Sequence, residues 1–331
     1  MNNYLANPDR YNAMPTRRCG KTGVILPQVS LGLWHNFGSI DSFDNAKAML
    51  RTAFDQGIFH FDLANNYGPE PGSAEENFGR IFTDDFQKHR DELLISTKAG
   101  YRMWDGPYGE WGSRKTLVSS CDQSLKRMKL DYVDIFYHHR PDPNTDIEES
   151  MQALDFIVRS GRALYVGLSN YSTEDAKKAF DILRDLKTPG VIYQGRFNMM
   201  GRNLEDTGMF DMLSENGIGA ICFSPLAQGI LTDKYLNGIP ENSRAVRNHF
   251  LKSERITKEL REQVSKLNDI ALSRSQTLAQ MALSWILSRK GVTSVLCGAS
   301  TPAQIIDCAK CTQNTTFTEE EYKQIDSVIF G

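Results

Sequence analysis

An aspartate and a tyrosine stand close together in the stretch HFDLANNYG, which covers residues 60–68. The stretch begins as an apolar run, in which Phe61 and Leu63 alternate with Asp62, and it ends in a loop that carries Tyr67. Aspartate is uncommon inside strands. Asp62 is therefore either a structural carboxylate with satisfied hydrogen bonds or a buried charge that holds a cation beside the phenol. The second interpretation requires a lysine at the end of another strand.

A lysine and further polar residues do stand at the ends of other apolar runs. Lys98 lies near the end of the run 93–99, and His138 and His139 end the run 132–139. Further along the chain, the same kind of position is taken by Ser169, Asn170, Gln194, Phe223 and Ser224. Adjacent strand residues point to opposite sides, so the two histidines cannot serve one site. No carboxylate or third histidine stands at ligand spacing beside them, and we expect no metal site.

The elements that must position these residues alternate along the chain. The strand candidates are 29–33, 60–64, 93–99, 132–139, 163–170, 191–198, 219–225 and 294–300. Longer amphipathic stretches separate them, and eight strand–helix units predict a closed parallel sheet, the (β/α)8 TIM barrel of the α/β class. No linker rich in Pro, Gly or Ser divides the chain, so we expect one domain over residues 1–331. The loops after the strands would then form the site on one face of the barrel.

The N-terminal segment and two long connections stand outside this alternation. Residues 1–13 form a polar leader, and residues 14–28 predict a hairpin that turns at 21–23 and caps the barrel. Residues 227–256, after the seventh strand, predict a long loop that clamps a ligand, followed by an extra helix. A second long loop, 101–112, is rich in aromatic residues.

Several helices show N-terminal signals. Capping-box spacings, with a hydroxyl three residues before a carboxylate, predict three helix starts. They are Ser73 with Glu76, Thr145 with Glu148, and Ser172 with Asp175. Thr301 followed by Pro302 predicts a fourth start, because proline is favoured at the first helical position.

The composition argues against several classes of function. The formal net charge is −3, which gives no footprint for nucleic acid or an anionic membrane. The N-terminus has no apolar signal core and no apolar run could span a bilayer, so we expect a cytoplasmic protein. The 6 cysteines are expected to be reduced thiols. Cys308 and Cys311 have CxxC spacing, but they fall in a predicted helix without a second CxxC, which disfavours a metal or redox role.

Seven motifs, taken in chain order, resemble those of the aldo-keto reductases. They are GLW (32–34), FDLANNYG (61–68), ISTKAGY (95–101), YVDIFYHHRPD (132–142), GLSNYS (167–172), FSPLAQGILTDKY (223–235) and VLCGAS (295–300). The resemblance covers the chain from about residue 14 to its end. The flanking sequences are most similar to the branch of bacterial L-glyceraldehyde 3-phosphate reductases, which lies close to the β subunits of voltage-gated potassium channels.

The resemblance implies a catalytic tetrad. Tyr67 matches the proton donor of the family and Lys98 matches its partner. Asp62 matches the carboxylate behind the lysine, and His139 matches the histidine that precedes Arg-Pro-Asp. A hydride delivered to a carbonyl carbon leaves an alkoxide, which needs a proton near neutral pH. A free tyrosine titrates near pH ~10, so we expect Lys98 to lower the pKa of Tyr67 while His139 orients the carbonyl oxygen.

The resemblance also implies that the cofactor is NADPH. Ser169, Asn170 and Gln194 match residues that hold the nicotinamide carboxamide, and Phe223 matches an aromatic residue that stacks on the ring. In the family this aromatic residue is more often Tyr or Trp. Two further contacts on this side are expected from Leu33 and Trp34.

The other end of the cofactor is expected at the last two strands. Residues 224–229 would surround the pyrophosphate, and Lys234 and Arg244 would add positive charge. Individual contacts are expected from Ser224, Pro225, Leu226, Gln228, Gly229, Gly298, Ser300, Gln304, Asp307 and Cys308. Gln304 stands where many members place an arginine on the 2′-phosphate, and Cys308 stands where asparagine usually contacts adenine. NADPH is still expected, with a weaker preference over NADH than in the family at large.

The resemblance limits the substrate to a short carbonyl compound, with L-glyceraldehyde 3-phosphate first and methylglyoxal second. The expected pocket residues are Trp34, Tyr67, Trp104 and His139. Arg102 or Arg140 could meet a substrate phosphate, or they could be surface residues in ion pairs. Since the close relatives form tetramers or stacked tetramers, we expect a homo-oligomer.

A regulatory subunit that holds NADPH with little turnover is the alternative to an enzyme. The channel subunits that the chain resembles carry asparagine where this chain has His139. The complete tetrad therefore favours an enzyme.

Overall fold

Eight parallel strands form a closed barrel in this computed structural model, which describes residues 4–236, 254 and 256–331. The barrel strands are β3 (Val29–Gly32), β4 (His60–Asp62), β5 (Leu94–Ala99), β6 (Val133–His138), β7 (Ala163–Ser169), β8 (Gly190–Arg196), β9 (Gly219–Phe223) and β10 (Val292–Cys297). They follow a separate pair of strands, β1 (Thr16–Arg18) and β2 (Ile25–Pro27). The barrel runs in chain order from β3 to β9 and closes through β10, which pairs with both β9 and β3. Each of the eight predicted strands is a barrel strand, so the predicted fold is confirmed.

Helices cover the outside of the barrel. They are α1 (Phe43–Asp55), α2 (Ser73–Ile81), α3 (Arg114–Met128), α4 (Ile147–Arg159), α5 (Thr173–Asp185), α6 (Asn203–Asp206), α7 (Met209–Glu215), α8 (Lys258–Ser273), α9 (Leu278–Leu287), α10 (Pro302–Ala309) and α11 (Glu319–Phe330). Both α8 and α9 lie between β9 and β10, which accounts for the predicted extra helix. Within the described residues, no helix is long and apolar enough to cross a membrane.

Two of the predicted helix starts are confirmed by their caps. The side chain of Ser172 accepts a hydrogen bond from the amide of Asp175, so it caps α5. The side chain of Thr301 accepts one from the amide of Gln304, and Pro302 is the first residue of α10. These side chains satisfy backbone donors that have no partner within the first helical turn.

The other two predicted starts are wrong by one residue. The N-cap of α2 is Gly72, in the left-handed region at φ 93°, and Ser73 is already helical. The Oγ of Ser73 instead accepts a hydrogen bond from a backbone amide of an earlier loop. The N-cap of α4 is Asp146, while the Oγ1 of Thr145 donates to Asp142 at 2.7 Å. In both cases a hydrogen bond outside the helix engages the hydroxyl that was expected to cap it.

The N-terminal hairpin packs against the interior of the barrel. Strands β1 and β2 pair antiparallel, as predicted, and Cys19, Val24 and Leu26 of this hairpin form one apolar cluster with interior residues of the barrel. The turn between the strands approaches the start of β9 so closely that a Cβ on Gly20 would lie 2.1 Å from the carbonyl oxygen of Gly217. This contact requires glycine. The hairpin thereby closes the end of the barrel where the strands begin, opposite to their carboxyl ends.

The segment after β9 is described only in part. Its first residues form two short 3-10 turns, Ala227–Gly229 and Asp233–Tyr235. Residues 237–253 and 255, which include Arg244, lie outside the described residues. The clamping role of this loop therefore stays a prediction.

Candidate active site

The centre of the site is a buried ion pair at the ends of two adjacent strands. Asp62 is the last residue of β4, and Lys98 lies near the end of β5. The Nζ of Lys98 is 2.5 Å from the Oδ2 of Asp62 and donates to the carbonyl oxygen of Leu63 at 2.5 Å. Both charged side chains are completely buried. A buried cation with a carboxylate and a carbonyl as partners is held in one position.

Tyr67 and His139 adjoin this ion pair. The Nζ of Lys98 donates to the Oη of Tyr67 at 3.3 Å. His139 follows β6, and its ring meets the ring of Tyr67 edge to face at a centroid distance of 6.1 Å. His138 points to the opposite side, where its Nδ1 is 2.6 Å from the hydroxyl of Tyr171. The structure therefore brings together the four side chains of the predicted tetrad and separates the two histidines, as predicted.

Burial governs the protonation of the site. Burial, and secondarily the charge of Asp62, raises the pKa of Tyr67 well above its ordinary value. The lowering of this pKa by Lys98 stays a prediction, since burial and the charge of Asp62 set the direction in this structure. Burial also lowers the pKa of Lys98, although Asp62 opposes that effect. Burial and the nearby cations lower the pKa of His139 well below its ordinary value, so the site holds a protonated phenol and a neutral imidazole.

Aromatic side chains surround Tyr67 and His139. The ring of Trp34 lies 6.3 Å from that of Tyr67, and the ring of Tyr101 meets that of His139 edge to face at 4.6 Å. Trp104 is half-buried in the loop 101–112, and its place in the substrate pocket stays a prediction.

The two arginines considered for a substrate phosphate both have partners in this loop. The guanidinium of Arg140 lies 3.8 Å from the ring centre of Trp111 and forms an ion pair with Glu110. Arg102 is mostly exposed and forms an ion pair with Asp105. Arg140 therefore anchors the aromatic loop beside His139, and Arg102 lies at its surface.

The residues predicted for the nicotinamide are connected to the tetrad. Asn170, with φ 60°, donates through Nδ2 to the carbonyl oxygen of His139 at 2.9 Å and to the Oγ of Ser169 at 3.1 Å. Gln194 donates through Nε2 to the Oδ1 of Asp62 at 3.1 Å. On the neighbouring side, the amide of Leu33 donates to the carbonyl oxygen of Asp62 at 2.9 Å. Phe223 is the last residue of β9 and is half-buried.

The loop after β9 has several residues in the left-handed region of the backbone. Residues Ser224, Ala227, Gln228 and Gly229 all have positive φ, between 47° and 98°. The amides of Ala227 and Gly229 donate to carbonyl oxygens within the loop. The Oε1 of Gln228 is buried without a hydrogen-bond partner among the described residues. Strained backbone and an unpaired buried oxygen fit a polar ligand at this loop. Pro225 and Leu226 lie within it, and Lys234 lies in the next turn.

The residues predicted for the adenosine end are largely engaged with the protein itself. A Cβ on Gly298 would meet nothing within 4 Å, so the backbone there is open to a ligand. The Oε1 of Gln304 accepts from the amide of Ser300 at 2.8 Å and from its Oγ at 3.0 Å. Asp307 accepts from the Nε2 of Gln280 at 2.7 Å. Cys308 is buried, and its contact with adenine stays a prediction.

Sequence reasoning missed the residues that lie behind Asp62. The Oγ of Ser96 donates to the Oδ1 of Asp62 at 2.7 Å, and the Nε2 of His60 is 3.0 Å from this Oγ. A signal for both was present. His60 stands two residues before Asp62, and Ser96 two residues before Lys98, so each shares a strand face with a tetrad residue.

All six cysteines are buried and free. Among the described residues, no group of His, Cys, Asp and Glu side chains could hold a metal ion. Burial raises the pKa of Cys222 above its ordinary value, and a hydrogen bond with Cys308, followed by burial, raises the pKa of Cys297, which disfavours the reactive thiolate in both.

The chain matches a known protein family over most of its length. The model of the Aldo/keto reductase family matches residues 28–329. The chain belongs to the aldo/keto reductase family. It is therefore an oxidoreductase, as the motifs indicated, and membership of the family implies a small carbonyl substrate and a nicotinamide cofactor, NADH or NADPH.

Individual relatives place the chain within the family. Proteins named L-glyceraldehyde 3-phosphate reductase from Escherichia coli O157:H7 and Escherichia coli strain K12 are each 54% identical to it over 330 residues, which cover 98% of this chain and 95% of the relative. A probable voltage-gated potassium channel subunit beta from Arabidopsis thaliana is 35% identical over 298 residues, which cover 88% of this chain and 89% of the relative. The similarity to the reductases is thus much higher than the similarity to the channel subunit.

Proposed function

We propose that this aldo/keto reductase reduces small aldehydes with NADPH, and that Tyr67 is its proton donor. The observation that carries the proposal is the contact between Lys98 and Tyr67, 3.3 Å from Nζ to Oη, with Asp62 fixing the lysine from behind. A cation held beside a phenol stabilises the negative charge that the phenol acquires when it gives up its proton.

Each tetrad residue has a proposed role in the proton transfer. Tyr67 is protonated throughout the physiological pH range because burial raises its pKa, so the proton is in place when a carbonyl compound binds. As negative charge develops on the carbonyl oxygen, Tyr67 donates its proton there and Lys98 compensates the charge left on the phenol. Neutral His139, adjacent to Tyr67, orients the carbonyl oxygen toward the phenol.

NADPH is the proposed cofactor, and when bound it supplies the hydride. Ser169, Asn170 and Gln194 would hold its nicotinamide end, where they already contact the tetrad or its backbone. Residues 224–229 would surround its pyrophosphate, where Gln228 can donate through its Nε2. The preference for the 2′-phosphate is proposed to be modest because Gln304 stands in place of an arginine.

The proposed substrate is L-glyceraldehyde 3-phosphate, with methylglyoxal and other small aldehydes as secondary substrates. The relatives at 54% identity carry the name of that activity, and the aromatic residues around Tyr67 and His139 suit a short chain. We also propose one catalytic domain, a homo-oligomeric assembly, and a reducing compartment such as the cytoplasm, in which the buried thiols stay free.

Tyr67→Phe tests the proposal. Wild-type protein and the variant are compared by NADPH-dependent loss of absorbance with a panel of small aldehydes that includes L-glyceraldehyde 3-phosphate. The variant is expected to lose ~10²-fold or more in kcat while it still binds NADPH. Near-normal turnover by Tyr67→Phe would remove Tyr67 as the acid. NADPH binding without turnover of any aldehyde by the wild type would favour the regulatory subunit instead.

A further inference from the structure

A continuous chain of hydrogen bonds leads from Asp62 into the interior of the barrel. The Oγ of Ser96 donates to the Oδ1 of Asp62 at 2.7 Å. The Nε2 of His60 is 3.0 Å from this Oγ, and the Nδ1 of His60 is 2.9 Å from the Oγ of Ser30. The Oγ of Ser30 is in turn 2.8 Å from the Oγ of Ser294. All five residues are completely buried, so solvent does not compete for any of these hydrogen bonds.

The number of protons available to each group fixes the direction of these hydrogen bonds. Asp62 contacts the ammonium of Lys98 as a carboxylate and can only accept, so the one hydroxyl proton of Ser96 is committed to it. Ser96 must then accept from the Nε2 of His60. Burial lowers the pKa of His60 to about 4, so the ring is neutral near pH 7 and carries one proton, at Nε2. Its Nδ1 therefore accepts from Ser30.

The last link follows by the same count. With its proton committed to His60, Ser30 accepts from Ser294, which is its nearer partner at 2.8 Å. The carbonyl oxygen of Gln28 is the longer alternative for Ser294, at 3.2 Å. Every donor in the chain thus points toward Asp62. Hydrogen bonds aligned in one direction polarise one another, so each strengthens the bond that ends on the carboxylate.

We propose that His60 is a positioning residue of the reductase, whose Nε2–H fixes the Ser96 hydroxyl on Asp62 and so fixes Lys98 against Tyr67. The inference rests on the proposed roles of the tetrad. Asp62 divides its two oxygens between partners: Oδ1 accepts from Ser96 and Gln194, and Oδ2 faces the Nζ of Lys98. If Ser96 is released, its hydroxyl can turn away and the carboxylate can rotate. The Nζ of Lys98 would then leave its place 3.3 Å from the phenol.

The competing explanation is that His60 only satisfies buried polar groups of the core. His138 supplies a matched control for it. Like His60, His138 is completely buried, has a pKa lowered to about 4 by burial, and has a hydroxyl at hydrogen-bond distance, that of Tyr171. It faces the outside of the barrel, away from Asp62. A role common to all buried histidines predicts equal effects of substitution at both positions, whereas a positioning role predicts an effect on turnover at His60 alone.

The experiment compares His60→Asn with His60→Gln. The amide of Asn reaches the position of Nδ1 and leaves Ser96 without a donor, whereas the longer Gln can place an N–H where Nε2 was. We expect kcat of His60→Asn to fall about tenfold, the loss of roughly one hydrogen bond to a charged group. The KM for the aldehyde and the Kd for NADPH should stay within about twofold, since binding contacts are unchanged. His60→Gln should recover most of kcat.

The solvent isotope effect supplies a readout that a structural role would not move. Misplaced Lys98 slows proton donation by Tyr67, so the solvent deuterium isotope effect on kcat should increase in His60→Asn and not in His138→Asn. Turnover is expressed per NADPH-binding site, which removes the contribution of unfolded protein. Equal kcat and equal isotope effects in the two asparagine variants would overturn the proposal, as would a loss in His60→Asn that appears only in KM.

Two serine variants decide the matter if His60→Asn does not fold. Ser30→Ala removes the donor to the Nδ1 of His60 and should lower kcat about threefold, as expected for a bond one step more remote. Ser120→Ala is its control, because Ser120 is buried and its Oγ has no hydrogen-bond partner among the residues described. Equal kcat in these two variants would overturn the proposal.

Tyr67→Phe in the same assay separates this inference from the proposed function. If Tyr67→Phe is inactive and His60→Asn turns over like the wild type, only the positioning role fails. If Tyr67→Phe turns over normally, the assigned acid fails, and the role of His60 fails with it.

Discussion

Two buried ion pairs meet β5 from opposite sides. Inside the barrel, Lys98 contacts Asp62, and both side chains are completely buried. Outside it, the buried carboxylate of Glu75 on α2 accepts from the Oγ1 of Thr97 at 2.6 Å and from the Nε of Arg127 on α3 at 2.7 Å. Thr97 and Lys98 are neighbours, so one strand presents a polar side chain to each cluster.

The two pairs differ in where their hydrogen bonds end. The outer pair joins α2 and α3 to β5, and its partners belong to the scaffold. The inner pair continues from Asp62 through Lys98 to the hydroxyl of Tyr67, which faces aromatic residues of the candidate pocket. Burial of an ion pair therefore does not mark a site by itself. The informative feature is a charged group whose last partner is a side chain positioned to meet a substrate.

Removal of the cation from each pair should give the largest difference between them. Lys98→Met leaves the carboxylate of Asp62 buried without its charge partner, so the free energy of unfolding should fall by about 3–5 kcal/mol. It should also lower kcat by ~10²-fold or more, because Tyr67 loses the cation beside it. Arg127→Met should destabilise less, since Arg127 is partly exposed, and it should leave kcat within about threefold. Urea denaturation and steady-state kinetics measure both quantities, and equal losses of kcat would refute the distinction.

Acid should destabilise the protein equally through the histidine inside the barrel and the histidine outside it. Burial lowers the pKa of His60, inside, and of His138, outside, to about 4 in both cases. The unfolded chain takes up these protons near pH ~6.5, so the stabilisation is fully present above that pH and is lost as the pH falls toward 4. Each histidine should account for about 3 kcal/mol of this loss. His60→Gln and His138→Gln should each reduce the difference in unfolding free energy between pH 7 and pH 4 by that amount. An unchanged difference would mean that the histidine is not neutral in the folded protein.

Neutralisation of the carboxylates should give a smaller effect on stability. Glu75→Gln keeps an acceptor for Thr97 and Arg127 but loses the charge, so we expect a loss of about 1–2 kcal/mol with kcat nearly unchanged. Asp62→Asn is the matched change inside the barrel and should lower kcat at least ~10-fold, because the lysine loses its counter-charge. A large fall of kcat in Glu75→Gln would show that the outer pair also takes part in the reaction.

The alternation of apolar runs predicted the barrel because each strand of a closed parallel sheet is buried on both faces. The strands from β3 to β10 were visible as apolar runs for that reason. Two helix starts were placed one residue away from their positions, at Ser73 and Thr145. A hydroxyl near a helix start has several partners to choose from, and tertiary contacts decide among them.

The tetrad was predicted from its motifs, but the chain behind Asp62 was not. A serine within an apolar strand is compatible with either face and with many partners. Ser30, His60 and Ser96 become one chain only when β3, β4 and β5 are placed side by side with a defined register. The burial that raises the pKa of Tyr67 could not be predicted for a related reason, since the motif gives the nearest charge but not the depth of burial.

The same comparison, between polar groups that bind only the scaffold and polar groups that reach a ligand, applies at the predicted adenosine end. We expect the smallest effect of substitution there. The Oε1 of Gln304 accepts from Ser300 and therefore has a partner within the protein. Gln304→Arg would exchange this acceptor for a cation near the proposed 2′-phosphate, so the ratio of kcat/KM for NADPH to that for NADH should rise up to about fivefold, as for an exposed ion pair. Gln304→Glu keeps an acceptor for Ser300 and adds a negative charge, so it should lower the same ratio. If neither variant changes the ratio, the 2′-phosphate does not bind beside Gln304, and the departure from arginine at this position has no bearing on cofactor preference.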